Sequence, residues 1–258
     1  MSSTGSRRRA PELDFFRGVA MLFVILMHLT YDLRYMFGVD AFETLEARWF
    51  YPFFQSIFLC IFAGVSGICC VFSRNNVKRG LKLGFFAILL TVATYIATYK
   101  FNMDCLILYN VLHLLSTCIL LYALIEFAER KLSLYFHRVN LFLALVAAYI
   151  CVAGSSISNF HNAYSSWFFI PFGIRVKDMP GMADWLPFFP WAGVFFIGTI
   201  IGRNEYKDKK SLFEGVKWLN SKAVRCFTVP FEFLGKHSLI IYAVHQPIFL
   251  GVLYLVFR

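Results

Sequence analysis

The chain has 258 residues, of which 59% are hydrophobic and 19% aromatic, and its formal net charge is +10. A mean hydropathy of +0.63 is too high for an ordinary soluble domain, so the composition indicates an integral protein of a lipid bilayer. The positive charge does not indicate nucleic-acid binding, because Lys and Arg are spread between apolar segments and do not form one basic patch.

Stretches long and apolar enough to cross a bilayer recur along the chain. A membrane helix needs roughly 20 mostly apolar residues. The predicted fold is therefore all-α, a polytopic transmembrane helix bundle with about seven spans and a cytoplasmic N-terminus. We expect a single membrane-embedded domain over 1–258, with spans at 14–37, 50–73, 80–98, 105–127, 139–154, 186–202 and 236–257.

Charged residues between the spans predict this orientation. The basic clusters precede the first span and follow the second, fourth and sixth spans, at Arg7–Arg9, 74–82, 130–138 and 203–225. The loop after the first span is instead acidic, with Asp40, Glu43 and Glu46. By the positive-inside rule the N-terminus is cytoplasmic and the C-terminus external. The apolar core after the three arginines is too long for a signal peptide, so we expect a retained span.

The first span, "LDFFRGVAMLFVILMHLTYDL", contains four ionisable residues, which are costly in a bilayer and therefore functional candidates. Asp14 and Arg17 are i, i+3 neighbours near the cytoplasm, and His28 and Asp32 are i, i+4 neighbours beyond the midplane. The first pair could simply stabilise the helix start. The second pair is typical of a general base, in which a carboxylate orients an imidazole, or of a hydrogen bond that holds the bundle together.

Two further spans contain buried polar residues. In the fourth span, His113 lies at a depth similar to that of His28, with Asn110 one turn away, so both histidines could face one cavity. Hydrogen bonding of His113 to a neighbouring helix is the alternative. In the last span, His245 and Gln246 precede Pro247, which leaves a backbone carbonyl without its helical partner.

Small residues and cysteines have simpler interpretations. Ser66 and Gly67 in the second span permit close helix packing, or they leave room for a bound acyl chain or phosphate. The seven cysteines mostly lie inside spans and form no CxxC pair, so we expect packing residues and no metal site.

Several motifs together resemble the heparan-alpha-glucosaminide N-acetyltransferase catalytic-domain family, within the transmembrane acyltransferase superfamily. The first is "LDFFRGVAMLFVILMH", and the others fit the short bacterial members of the family best. They are "HLTYDL" (28–33), "FAGVSGICCVFS" (62–73), "YNVLHLLSTCILLY" (109–122), "DWLPFFPWAGVFFIGTIIG" (184–202) and "LGKHSLIIYAVHQPI" (234–248).

The resemblance implies an enzyme of the bacterial cytoplasmic membrane that uses cytoplasmic acyl-CoA, usually acetyl-CoA, to modify a sugar or glycan at the opposite face. His28 and Asp32 would be catalytic, with His113 or Asn110 stabilising the oxyanion. Acyl-CoA would be bound by Asp14, Arg17, Ser66, Gly67, Arg74, His245 and Gln246. The acceptor would be bound by Asp184 and Trp185, and an oligomer is compatible with this assignment.

One departure from the family pattern decides between candidate bases. The eukaryotic lysosomal branch has its catalytic histidine in the loop after the first span, but residues 33–49 here contain no histidine. His28 is therefore the predicted base. The rival classes are a proton-coupled transporter that uses the buried His and Asp as a relay, and a non-catalytic membrane scaffold.

Overall fold

The computed structural model describes residues 10–40, 42, 50–103, 105–216, 218 and 221–257. Eight α-helices account for most of this part of the chain, and no strand occurs in it. In order they are α1 (Pro11–Tyr31), α2 (Phe50–Ile68), α3 (Asn76–Phe101), α4 (Val111–Lys131), α5 (Phe136–Ser156), α6 (Trp191–Glu205), α7 (Lys222–Lys236) and α8 (Ser238–Phe257). A π-helical turn, Asp32–Met36, extends α1, and two 3₁₀ segments, Ile157–Phe160 and Trp167–Phe172, lie between α5 and α6.

The all-helical prediction is confirmed, and each predicted span overlaps a helix. Among the described residues, five helical segments are long and apolar enough to cross a membrane: Pro11–Met36, α3, α4, α5 and α8. The number of spans and their orientation stay predictions, and the markers Arg7–Arg9, Glu43 and Glu46 lie outside the described residues. Helix α7 was not predicted, because all but its last residue lie between the predicted spans 186–202 and 236–257.

The outward face of α5 is apolar, as a lipid-facing helix requires. Leu141, Leu145, Tyr149 and Val152 are all exposed, and their spacing places them on one side of the helix. In water such a continuous stripe would be unfavourable, whereas in hydrocarbon it costs nothing. Together with the five long apolar helices, it shows an integral membrane protein.

The chain divides into two compact units, one formed by Met1–Val65 with Asp208–Arg258 and the other by Ser66–Lys207. That they form one domain stays a prediction. In the first unit, α7 packs directly on α1 at two glycines. A Cβ on Gly18 would overlap the backbone carbonyl of Phe231, and one on Gly235 would overlap that of Asp14. The contact between the two backbones therefore requires glycine on each helix.

Replacing Gly235 with Ala should weaken the α1–α7 contact. Alanine favours a helix over glycine by about 1 kcal/mol, but the methyl group would displace the Asp14 carbonyl at a cost of roughly 1–3 kcal/mol. We expect a lower Tm in detergent. Gly251→Ala is the matched control, since no atom lies within 4 Å of its Cβ position, and an equal fall in that variant would contradict the packing account.

In the second unit, an ion pair between a buried arginine and a partly exposed glutamate joins three helices. Arg203 on α6 is only 7% exposed and donates both terminal nitrogens to the carboxylate of Glu129 on α4, at 2.7 and 2.8 Å. Its Nε donates to Asn140 on α5 at 2.6 Å, and its guanidinium lies over the ring of Phe136. All three nitrogens of this guanidinium are thus bound within the protein, and one of its faces lies against an aromatic ring.

Removing one member of this pair should destabilise the protein far more than removing both. Arg203→Met leaves a largely buried carboxylate without its cation, which costs at most about 3–5 kcal/mol, whereas replacing both charges by apolar groups is often neutral. We expect a large fall in Tm for Arg203→Met and substantial recovery in the double variant Arg203→Met/Glu129→Met. A double variant no more stable than the single one would contradict this interpretation.

Candidate active site

The side chains of His28, Gln246 and Asp32 form a hydrogen-bonded chain in the first unit. Oε1 of Gln246 lies 3.0 Å from Nδ1 of His28. Nε2 of Gln246 donates to both carboxylate oxygens of Asp32, at 2.8 and 3.0 Å. The direct His–Asp contact expected from the i, i+4 spacing is therefore corrected: a longer side chain from α8 reaches between the two residues.

The two ends of this hydrogen-bonded chain differ in burial. Asp32 is completely buried, whereas His28 is half-buried. Within the described residues, Nε2 of His28 makes no hydrogen bond, so that nitrogen is available to a substrate. A fixed Nδ1 together with an available Nε2 is the arrangement that a general base requires.

Two helices supply the site, and both have special features at this point. The α-helical hydrogen-bonding pattern of α1 changes to a π-turn at Asp32, and such turns are frequent at functional sites. Helix α8 continues through Pro247, the residue after Gln246. The ring of His245, one residue earlier, lies edge-on to His28 with 5.0 Å between ring centroids.

His245 and Gln246 therefore lie at the His28–Asp32 pair. Their assignment to acyl-CoA binding stays a prediction. Nδ1 of His245 donates to the backbone carbonyl of Tyr242 at 2.8 Å, which fixes its ring.

In the second unit, His113 and Asn110 lie together, as their spacing predicts, but they stabilise a helix terminus. Asn110 is the N-cap of α4, and its Oδ1 accepts a hydrogen bond from the backbone nitrogen of Leu112. Nδ1 of His113 lies 3.0 Å from that oxygen, and Nε2 lies 3.2 Å from the hydroxyl of Thr91. Both ring nitrogens of His113 are thus bound. Thr91 was missed, because nothing in the sequence of α3 marks it as a histidine partner.

The residues expected to bind the acceptor lie beside this helix start. The backbone nitrogen of Leu186 donates to the carbonyl of Tyr109, and Asp184 interacts electrostatically with His113. Trp185 donates its indole nitrogen to the carbonyl of Ile170 at 3.1 Å. These contacts hold the segment 183–186 against the start of α4.

The residues expected to bind acyl-CoA differ in their exposure and in the contacts that they make within the protein. Gly67 lies against α6, since a Cβ there would overlap the carbonyl of Phe195, so the close-packing alternative describes this glycine. Ser66 is buried, and its carbonyl accepts a hydrogen bond from Arg79. Arg74 is exposed and could reach a phosphate.

Arg203, counted among the basic residues that predict the orientation of the chain, forms the ion pair with Glu129 described above. Asp14 and Arg17 lie in the first turns of α1, whose Glu12 accepts hydrogen bonds from Ser211 and the backbone of Leu212. The described residues contain no group of three or more His, Cys, Asp or Glu side chains placed to hold a metal ion.

Ionisable groups within membrane helices are rare and mark functional-site candidates, so the chain of His28, Gln246 and Asp32 is the candidate active site of this helical membrane protein. The family model described as "Heparan-alpha-glucosaminide N-acetyltransferase, catalytic" matches residues 9–247. The chain therefore belongs to this family of membrane acetyltransferases, and it is a transferase. Neither a curated protein nor a solved structure matches it.

Chemical modification should distinguish His28 from His113. Diethyl pyrocarbonate acylates an unprotonated ring nitrogen; both ring nitrogens of His113 are bound, whereas Nε2 of His28 is not. We expect peptide mass spectrometry to find His28 modified and His113 protected, with the exposed His137 as the positive control. Modification of His113 at the rate of His137, with His28 unchanged, would contradict the geometry above.

Proposed function

We propose that the protein transfers an acetyl group from cytoplasmic acetyl-CoA to an amine or hydroxyl of an amino sugar or glycan. The acceptor would lie at the opposite face of a bacterial cytoplasmic membrane. The observation that carries the proposal is the anchored imidazole of His28, with Nδ1 bound and Nε2 available, in a chain of this family.

In the proposed reaction, Nε2 of His28 removes a proton from the acceptor as its nitrogen or oxygen attacks the thioester carbonyl. A carbon–nitrogen or carbon–oxygen bond forms and the carbon–sulfur bond breaks. The thiolate of CoA leaves and takes up the proton held by His28, so the histidine returns to its neutral form. The buried carboxylate of Asp32 favours the protonated imidazole during the step.

The remaining site assignments are part of this proposal. Arg17 and the exposed Arg74 would bind the phosphates of CoA, as guanidinium groups commonly do. Asp184 would accept hydrogen bonds from the sugar. Stabilisation of the oxyanion by His113 or Asn110 is a separate proposal, and it requires one of their present hydrogen bonds to be exchanged for one to the substrate.

Replacing His28 with Ala should abolish acetyl transfer. A lost general base lowers kcat by about 10²- to 10⁴-fold, while binding of acetyl-CoA should persist because the donor is held elsewhere. The assay follows acetylated product by mass spectrometry, with a thermal shift on acetyl-CoA to show that the variant folds and binds. His137→Ala is the matched control at an exposed position, and near-normal turnover of the His28 variant would end this assignment.

A further inference from the structure

The side chain of Gln246 is the only link between the two polar ends of the site within the described residues. It contacts the imidazole through its carbonyl oxygen and the carboxylate through its nitrogen. An amide has a donor end and an acceptor end, so the group that binds one end determines which end faces the other residue.

The carboxylate of Asp32 determines the orientation of the Gln246 amide. A carboxylate can only accept hydrogen bonds, so the NH₂ group of Gln246 must face Asp32, and with two contacts it is held there firmly. The carbonyl oxygen must then face His28. Because that oxygen can only accept, Nδ1 of His28 must carry the proton.

We propose that Gln246 is a positioning residue that passes the orientation set by Asp32 to His28 and thereby selects the tautomer with its proton on Nδ1. The lone pair then lies on Nε2, the nitrogen that makes no hydrogen bond in the described chain. Gln246 moves no proton and touches no reacting atom. This inference deepens the proposed function and rests on it only for the meaning of the selected tautomer.

The other titratable group facing His28 does not compete for the same nitrogen. The rings of His245 and His28 meet edge to face, and Nδ1 of His245 is bound to the carbonyl of Tyr242. Asp32 and His245 are thus the two titratable residues whose contacts surround His28 in α1 and α8, and only Asp32 acts through Gln246.

The direct test is to determine the tautomer of His28 from the ¹⁵N chemical shifts of histidine-labelled protein in membranes. The spectrum of His28→Ala identifies the His28 signals. In the wild-type protein we expect a protonated Nδ1 and an unprotonated Nε2. A wild-type His28 protonated on Nε2 alone would overturn the proposal, whether or not any variant folds.

Variants of Gln246 then show whether this residue is the cause. Gln246→Met has a similar size but neither hydrogen bond, and we expect a mixture of tautomers. Gln246→Glu keeps an acceptor for the Nδ1 proton and should keep the tautomer. Gln55→Met, at the other glutamine of the sequence, is the matched control and should resemble the wild type. An unchanged tautomer in Gln246→Met would overturn the proposal.

Kinetics separate positioning from donor binding. For Gln246→Met we expect kcat to fall about 10- to 100-fold, by analogy with the loss of a partner that orients a metal-bound histidine, with an unchanged KM for acetyl-CoA. A raised KM with unchanged kcat would instead return Gln246 to the donor site and contradict the inference. If the tautomer is as expected but His28→Ala remains active, the proposed function fails and the role of Gln246 in selecting the tautomer stands.

Discussion

A polar side chain in hydrocarbon must find a partner or face water, and this constraint organises the first unit. Asp32 is completely buried, and both its oxygens are bound by an amide from α8. That amide has one remaining strong acceptor, which holds His28. Leaving any member unpaired would cost several kcal/mol in such a medium. The need to satisfy one carboxylate therefore fixes the position of the histidine that we propose as the base.

The sequence predicted the helices well and singled out His28 and Asp32, because both signals are local. Apolar runs mark the helices, and His28 and Asp32 are conspicuous because charged residues are rare in such runs. The contacts of Gln246 with His28 and Asp32 were not predicted, since these partners are more than two hundred positions away and no spacing rule connects them. Helix α7 was missed because its amphipathic sequence lies within a basic segment, and its contact with α1 depends on two glycines that could only be recognised in three dimensions.

His28 and His113 looked alike in the sequence, and the structure distinguishes them by their partners. The first keeps one ring nitrogen available, whereas the second has both bound, to the N-cap Asn110 and to Thr91. The depth of a histidine in a span shows only that its burial costs free energy. The residue can be there either for catalysis or for capping a helix. The same holds for cations. Arg203 was counted as a basic residue that marks topology, but its side chain is the centre of a polar network with Glu129 and Asn140.

The central claim, that this chain modifies its acceptor and does not carry it, can be tested in one measurement. Purified protein is reconstituted into liposomes loaded with glucosamine, acetyl-CoA is added outside, and both compartments are analysed by mass spectrometry. The account predicts acetylated sugar inside and free CoA outside in equal amounts, with neither formed by His28→Ala. Release of unmodified sugar without consumption of acetyl-CoA would contradict it and favour a transporter.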